Sequence, residues 1–156
     1  MAILTVNNIP FDYPDPGSDP GWGEQATDWA AEVTSVLSSL LAPGDIVETT
    51  STILNNQSSA LDISGMAFSN SVVRAANVDY TVIRSTATPT TLVESGTLFF
   101  TYDTVNGTWY MSQTKAEDAD IVFSITSLGQ VQYTSSNMSG GSYSGQITFK
   151  ARTLSQ

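Results

Sequence analysis

Apolar residues recur along this chain with two different periods, and the change between them divides it. Over residues 22–42 the period is helical. Trp22, Ala26, Trp29, Val33, Val36 and Leu40 follow one another at steps of four and three and form one face. Glu24, Asp28, Glu32, Ser35 and Ser39 form the other. Asp19 or Gly21 offers a start, acids crowd the positive end of the helix dipole, and Pro43-Gly44 stops it. From Ile46 onward the period is two. Val78, Tyr80 and Val82 share a face, as do Leu98 and Phe100, and Ile147, Phe149 and Ala151.

The strands predicted from that alternation are Ile46–Leu54, Ala60–Ile63, Met66–Val73, Asn77–Thr86, Thr91–Glu94, Gly96–Tyr102, Ile121–Thr126, Gln130–Thr134 and a closing Gly145–Thr153. Ser64-Gly65 is expected to separate the second from the third. Asn106-Gly107 is expected to turn a hairpin, both residues taking positive φ, and to send the chain back through Trp109-Tyr110. About eight short strands with regular turns make a mainly β domain over 46–156, an antiparallel sandwich or barrel. The closing strand is expected to be a sheet edge, which proteins usually pair or cover.

Residues 1–21 fit neither period. Pro10, Pro14, Pro16 and Pro20 each fix φ and extend the residue before them. The stretch is expected to be an extended anchoring arm that cannot fold on itself and grips another surface through Phe11, Tyr13, Pro14 and Pro16. The helical stripe Trp22, Trp29, Val33, Val36, Leu40 has two readings. It packs on the chain's own β-domain, since packing stabilises short amphipathic helices, or it is a seam shared with copies of itself or a partner. The stripe is shorter than the three or four heptads, roughly, of a free coiled coil, so self-association would need help from the β-domain.

Composition removes much chemistry. There is no cysteine and no histidine, so disulfides, thiolate sites, Ser-His and Cys-His catalysis and the commonest transition-metal ligand are all excluded. The net charge is −10 and none of the five bases (Arg74, Arg84, Lys115, Lys150, Arg152) precedes residue 74. Such a surface repels phosphate, so no nucleic acid is expected as partner. MAILTVNN lacks the basic segment and long apolar run of a signal peptide, and no stretch approaches a membrane span.

Three candidate sites were weighed. Lys115–Asp120 is the densest acid cluster, but its spacing is not that of an EF-hand, and a solvated loop outweighs a calcium site. Trp109, Tyr110, Tyr133 and Tyr143 suggest a sugar-stacking platform, against the commoner reading of core or interface aromatics. Asn56, Asn106 and Asn137 each begin an N-x-S/T triplet, which chance explains in a Ser/Thr-rich chain. No enzyme, cofactor or metal is expected.

Two stretches resemble known proteins. IPFDYPDPGSDPGWGEQATDWAAEVTSVLSSL, residues 9–40, resembles amino-terminal segments of virion proteins of tailed bacteriophages. ADIVFSITSLGQVQYTSSNMSGGSYSGQITFKARTL, residues 119–154, resembles the carboxy-terminal β-module of phage fibre-like and structural proteins. The resemblance implies a β-rich, often trimeric virion component, made in the host cytoplasm without a signal peptide and carrying no catalytic residues. The expectation is a homotrimeric capsid decoration (cement or head-fibre) protein on the outer virion surface, held by the arm and helix to the major capsid protein or another virion protein. A short tail or collar fibre is the alternative within the class. A glycan-binding module, with a host-surface glycan as ligand, is the alternative from another.

Overall fold

The computed structural model describes the backbone of residues 2–6, 9–13, 22–39, 42–87 and 90–156, and the side chains of 26–36, 42–87 and 90–156. The chain divides into two compact units, Met1–Leu41 and Ala42–Gln156.

In the first unit the stretch expected to lie extended and unpartnered folds back on itself. Strand β1 (Ala2–Val6) pairs antiparallel with β2 (Ile9–Tyr13), Ala2 opposite Tyr13 and Val6 opposite Ile9. Ile3, Leu4, Thr5 and Val6 are residues that favour a pleated backbone, and an Asn-Asn pair separates them from the next such run. A proline in a two-stranded ribbon needs only a position whose N–H is not used in the ladder, and Pro10 is accommodated opposite Thr5. Phe11 and Tyr13 therefore lie on a strand, and Pro14 and Pro16 lie outside the described residues. Helix α1 (Trp22–Ser39) begins where the period predicts and lies beside β2. Thr34 donates its hydroxyl back to Ala30 O within it. Val36 is buried, Val33 is half-buried, and Trp29 stays 44% exposed. The side chains of Trp22 and Leu40 lie outside the described residues.

The second unit holds eight strands in two antiparallel sheets. Five of them, β3 (Ile46–Thr52), β10 (Ser144–Ser155), β5 (Val73–Ser85), β6 (Thr91–Asp103) and β7 (Thr108–Ala116), form one sheet in that spatial order. The other is β4 (Leu61–Ala67), β9 (Gln130–Ser135) and β8 (Ile121–Ile125). β3 neighbours β4 along one flank of the sandwich, and β7 neighbours β8 along the other.

Four features differ from expectation. No single strand covers Met66–Val73: Met66 and Ala67 end β4, a turn closed by the Val72 and Val73 N–H groups on Ser69 O follows, and Val73 begins β5. β4 runs unbroken through Ser64-Gly65, because Gly65 takes φ +82 and bulges the strand rather than ending it. β6 is one strand through Ser95, since Gly96 lets Thr114 O approach to where a Cβ would stand. The closing strand is no edge. β10 lies between β3 and β5, pairing with β5 from Ser144 to Ser155 and with β3 from Gln146 to Ala151.

The expected faces are the observed ones. Val78, Val82, Leu98, Phe100, Ile147 and Phe149 point inward and meet Ile63, Met66, Phe123, Val131 and Tyr133 from the smaller sheet. Tyr80 and Phe123 meet edge-on at 5.1 Å across the two layers. Each fully buried side chain of this size contributes about 1.5–3 kcal/mol before the chain entropy is counted.

Candidate functional site

The inward positions of β5 and β6 carry two charges among the apolar residues. Val78, Tyr80 and Val82 are followed on the same face by Arg84, and Leu98 and Phe100 are preceded by Glu94. Both charged side chains are 0% exposed. A buried charge is costly unless its hydrogen-bonding capacity is met, and here both are met by several segments that include the loop between β7 and β8.

Arg84 spends all five N–H groups. Its Nε donates to Tyr143 OH at 3.0 Å, one terminal nitrogen to Ala119 O and Asp120 O, and the other to Ser136 O and Asn55 Oδ1. The guanidinium carbon also lies 5.6 Å from the Tyr143 ring centre. The cation is thus solvated by carbonyl oxygens from three chain segments. Glu94 is met in the opposite sense. One oxygen accepts the Tyr80 hydroxyl at 2.6 Å and Gln113 Nε2 at 2.9 Å. The other accepts Lys115 Nζ at 3.1 Å and the Ala119 backbone N–H at 2.9 Å. Burial, and then the bond to Glu94, push the Tyr80 phenol above its ordinary range. Burial works against the Lys115 ammonium, but Glu94 and Asp118 outweigh it and raise its pKa.

The loop Lys115–Asp120 is therefore more than a solvated turn. Lys115 and Ala116 belong to β7, and Ala119 is buried. Glu117 and Asp120 adopt left-handed backbone angles, φ 60 and 55, at a cost of roughly 1–2 kcal/mol for an ordinary side chain. Asp118 accepts the Asp120 N–H at 2.8 Å and an ion pair from Lys115 at 3.1 Å, which hold its carboxyl below the usual range. Nearby, Asn56 takes φ 53, and its N–H reaches Ser136 O. A groove of about 340 Å³ lies over this junction, bordered by Gln57, Ser58, Lys115, Asp118, Asp120 and Thr134 among others. Among the described residues no group of three or more carboxylates gathers to hold a metal ion.

The four aromatics of the sugar-platform reading do not share a surface. Trp109 is buried against Phe68 and Tyr102, and Tyr133 is buried with its hydroxyl accepting the Leu54 N–H. Tyr143 is half-buried on Arg84, and Tyr110 alone of the four is exposed. The Asn106-Gly107 hairpin forms as expected, but only Gly107 takes a positive φ, because four residues rather than two make the turn. Arg84 and Glu94 were not singled out by the sequence. Their signal was there all the same, as charges standing at inward positions of two strands that otherwise alternate cleanly.

No family model matches the chain, and no curated protein matches it. The solved structures that align with part of it include two tailspike proteins. The tailspike protein of Acinetobacter phage vB_ApiP_P1 aligns at a TM-score of 0.44 and 15% identity, covering 69% of this chain and 22% of that one. The tailspike protein of Acinetobacter baumannii phage AM24 aligns at 0.36 and 12%, covering 73% and 26%. This chain thus spans about a quarter of either tailspike. Among the described residues no helix is long and apolar enough to cross a membrane.

Proposed function

We propose that this chain is a structural component of a tailed-phage virion, of the fibre or decoration kind, in which residues 1–41 attach and residues 42–156 form a displayed, rigid module. The division into two compact units carries this reading. The first unit contains the whole stretch that resembles phage amino-terminal segments, and it holds Asp12, Asp15, Asp19, Glu24, Asp28 and Glu32 with no base. The second spends its two buried charges on holding a loop in place rather than on an exposed reactive pair. A head position, as a capsid decoration protein, and a tail or collar position draw equally on the sequence resemblance. Homotrimeric assembly and docking on the major capsid protein belong to the same proposal.

The test is occupancy on purified particles. Full-length protein is expected on virions, and a chain lacking residues 1–41 is expected to fold and be lost from them. Retention of the shortened chain, or absence of the full chain from virions, would sink the proposal. Comparing tailless heads with whole particles separates the two positions. A second reading, as a glycan-binding module, is favoured by the polar groove over Asp118 and Asp120, whose rim of hydroxyl, amide and carboxylate groups suits sugar hydroxyls. Binding on a glycan array that Asp120→Ala removes would favour it.

A further inference from the structure

The tip of the β6–β7 hairpin holds an asparagine in a setting unlike that of any other among the described residues. Asp103 pairs with Thr108, and Thr104, Val105, Asn106 and Gly107 turn between them, all exposed. Apart from its two chain neighbours, a Cβ placed on Gly107 would meet nothing nearer than the Tyr102 hydroxyl at 3.8 Å, so the turn is open on that side. No other asparagine of the chain precedes a glycine. Asn55, by contrast, is half-buried, with its carboxamide bonded to Met138 O and the Met138 N–H. The Asn106 carboxamide has one grip upon it. Asp103 Oδ2 accepts Asn106 Nδ2 at 2.7 Å, while Oδ1 accepts the backbone N–H of Val105 at 2.8 Å and of Asn106 at 3.2 Å.

We propose that Asn106 is a site of spontaneous deamidation and that Asp103 restrains the reaction by holding the carboxamide. The Gly107 nitrogen, on losing its proton, attacks Asn106 Cγ. A new N–C bond forms, the Cγ–Nδ2 bond breaks, and ammonia leaves carrying the equivalent of that proton. The resulting five-membered imide takes up one water at either carbonyl and opens to aspartate or isoaspartate. No oxidant or reductant is involved. For the attack Cγ must swing towards the Gly107 nitrogen, which breaks the bond from Nδ2 to a carboxylate, the stronger kind of hydrogen bond. Either product sets a second carboxylate beside Asp103 in place of a donor. Isoaspartate also lengthens the backbone of the turn, so the Asp103–Thr108 pair no longer closes in register.

The experiment uses the full chain, held in mildly alkaline and mildly acidic buffer and then mapped by peptide mass spectrometry with isoaspartyl methyltransferase labelling. Conversion is expected at Asn106 ahead of every other asparagine, faster in the alkaline buffer. It is expected to be several-fold faster in Asp103→Ala, and likewise in Asp103→Ser, whose hydroxyl can still receive a turn N–H but cannot also hold the carboxamide. Asn106 left intact while a free peptide of the same turn sequence converts fully would overturn the site. Wild-type rates in both variants would overturn the role of Asp103.

Discussion

Arg84 and Glu94 hold the same residue, Ala119, through the peptide groups on either side of it. The Ala119 N–H donates to Glu94, and the Ala119 carbonyl accepts from Arg84. On adjacent strands, Val82 faces Glu94 and Arg84 faces Leu92, so the two charges occupy neighbouring inward positions and are connected through a loop distant in sequence.

Glu94→Ala is expected to destabilise the β unit strongly. It strips partners from Tyr80, Gln113, Lys115 and the Ala119 N–H together. Breaking a buried charged pair costs about 3–5 kcal/mol, and the lower end is expected because the Lys115 side chain, 29% exposed, can turn to solvent. Glu94→Gln should cost less, since it can still accept two of those bonds. Urea denaturation measures both. A loss within about 0.5 kcal/mol for the alanine variant, the size of an ordinary surface change, would show that the network holds nothing.

Arg84 is expected not to tolerate lysine. A lysine offers three donors on one atom and cannot span acceptors contributed by Asn55, Ala119, Asp120, Ser136 and Tyr143. Arg84→Lys should therefore lose nearly as much as Arg84→Met, about 3 kcal/mol or more, because buried carbonyls go unpaired in both. A double-mutant cycle with Glu94→Gln should show coupling of about 0.5–3 kcal/mol through the shared residue Ala119. Strict additivity would mean that the two charges hold the loop independently.

The contrast between what the sequence disclosed and what it hid follows the range of the interactions. Inward faces such as Val78-Tyr80-Val82 and the helix start at Trp22 are set by nearest neighbours along the chain, so periodicity reads them directly. The place of β10 between β3 and β5 is set by pairing with residues about 60–105 positions away, and nothing local in Gly145–Thr153 marks it as interior. Pro10 was misleading for the opposite reason. Its local preference for extended backbone was read correctly, but extension is equally what a ribbon strand needs. Arg84 and Glu94 do not stand out in the sequence because charges on β-strands are usually solvated, and only the register identifies these two as buried.

Asp45 is expected to shape the acid limb of stability. Its side chain is 5% exposed. Oδ1 accepts the Thr153 N–H at 2.6 Å and the Thr153 hydroxyl at 2.8 Å, and Oδ2 accepts the Ala42 N–H at 3.2 Å. Burial alone would raise its pKa, but these bonds, with Arg152 farther off, outweigh it and hold the carboxyl below its ordinary 3.8. A depressed carboxylate contributes stability above its unfolded value and loses it as pH falls through the folded one. The Asp45 contribution should thus be whole above about 3.8 and fade below. Lys115, raised above 10.5, should contribute below that value and fade above it. Asp45→Asn should lower stability at neutral pH by about 1.5–3 kcal/mol and flatten the acid limb of a stability-versus-pH series. An unchanged acid slope in that variant would assign the limb to other carboxylates.

Trp29 decides whether the helix is a seam between copies. With β10 paired on both sides, that strand offers no edge for assembly, and the case for self-association falls back on the helix and the family resemblance. A tryptophan left 44% exposed on α1 is a large apolar group with room for a partner. If copies share that face, multi-angle light scattering should give an oligomer for the full chain and a smaller mass for Trp29→Ala. The thermal midpoint of the β unit should then be unaffected at high dilution. If the exposed ring meets nothing, Trp29→Ala should leave the mass unchanged and cost no more than roughly 1–2 kcal/mol, in line with a side chain only partly withdrawn from water. A wild-type monomer at micromolar concentration would remove the seam as a contact in solution, leaving assembly to be imposed only where the first unit is held on a particle.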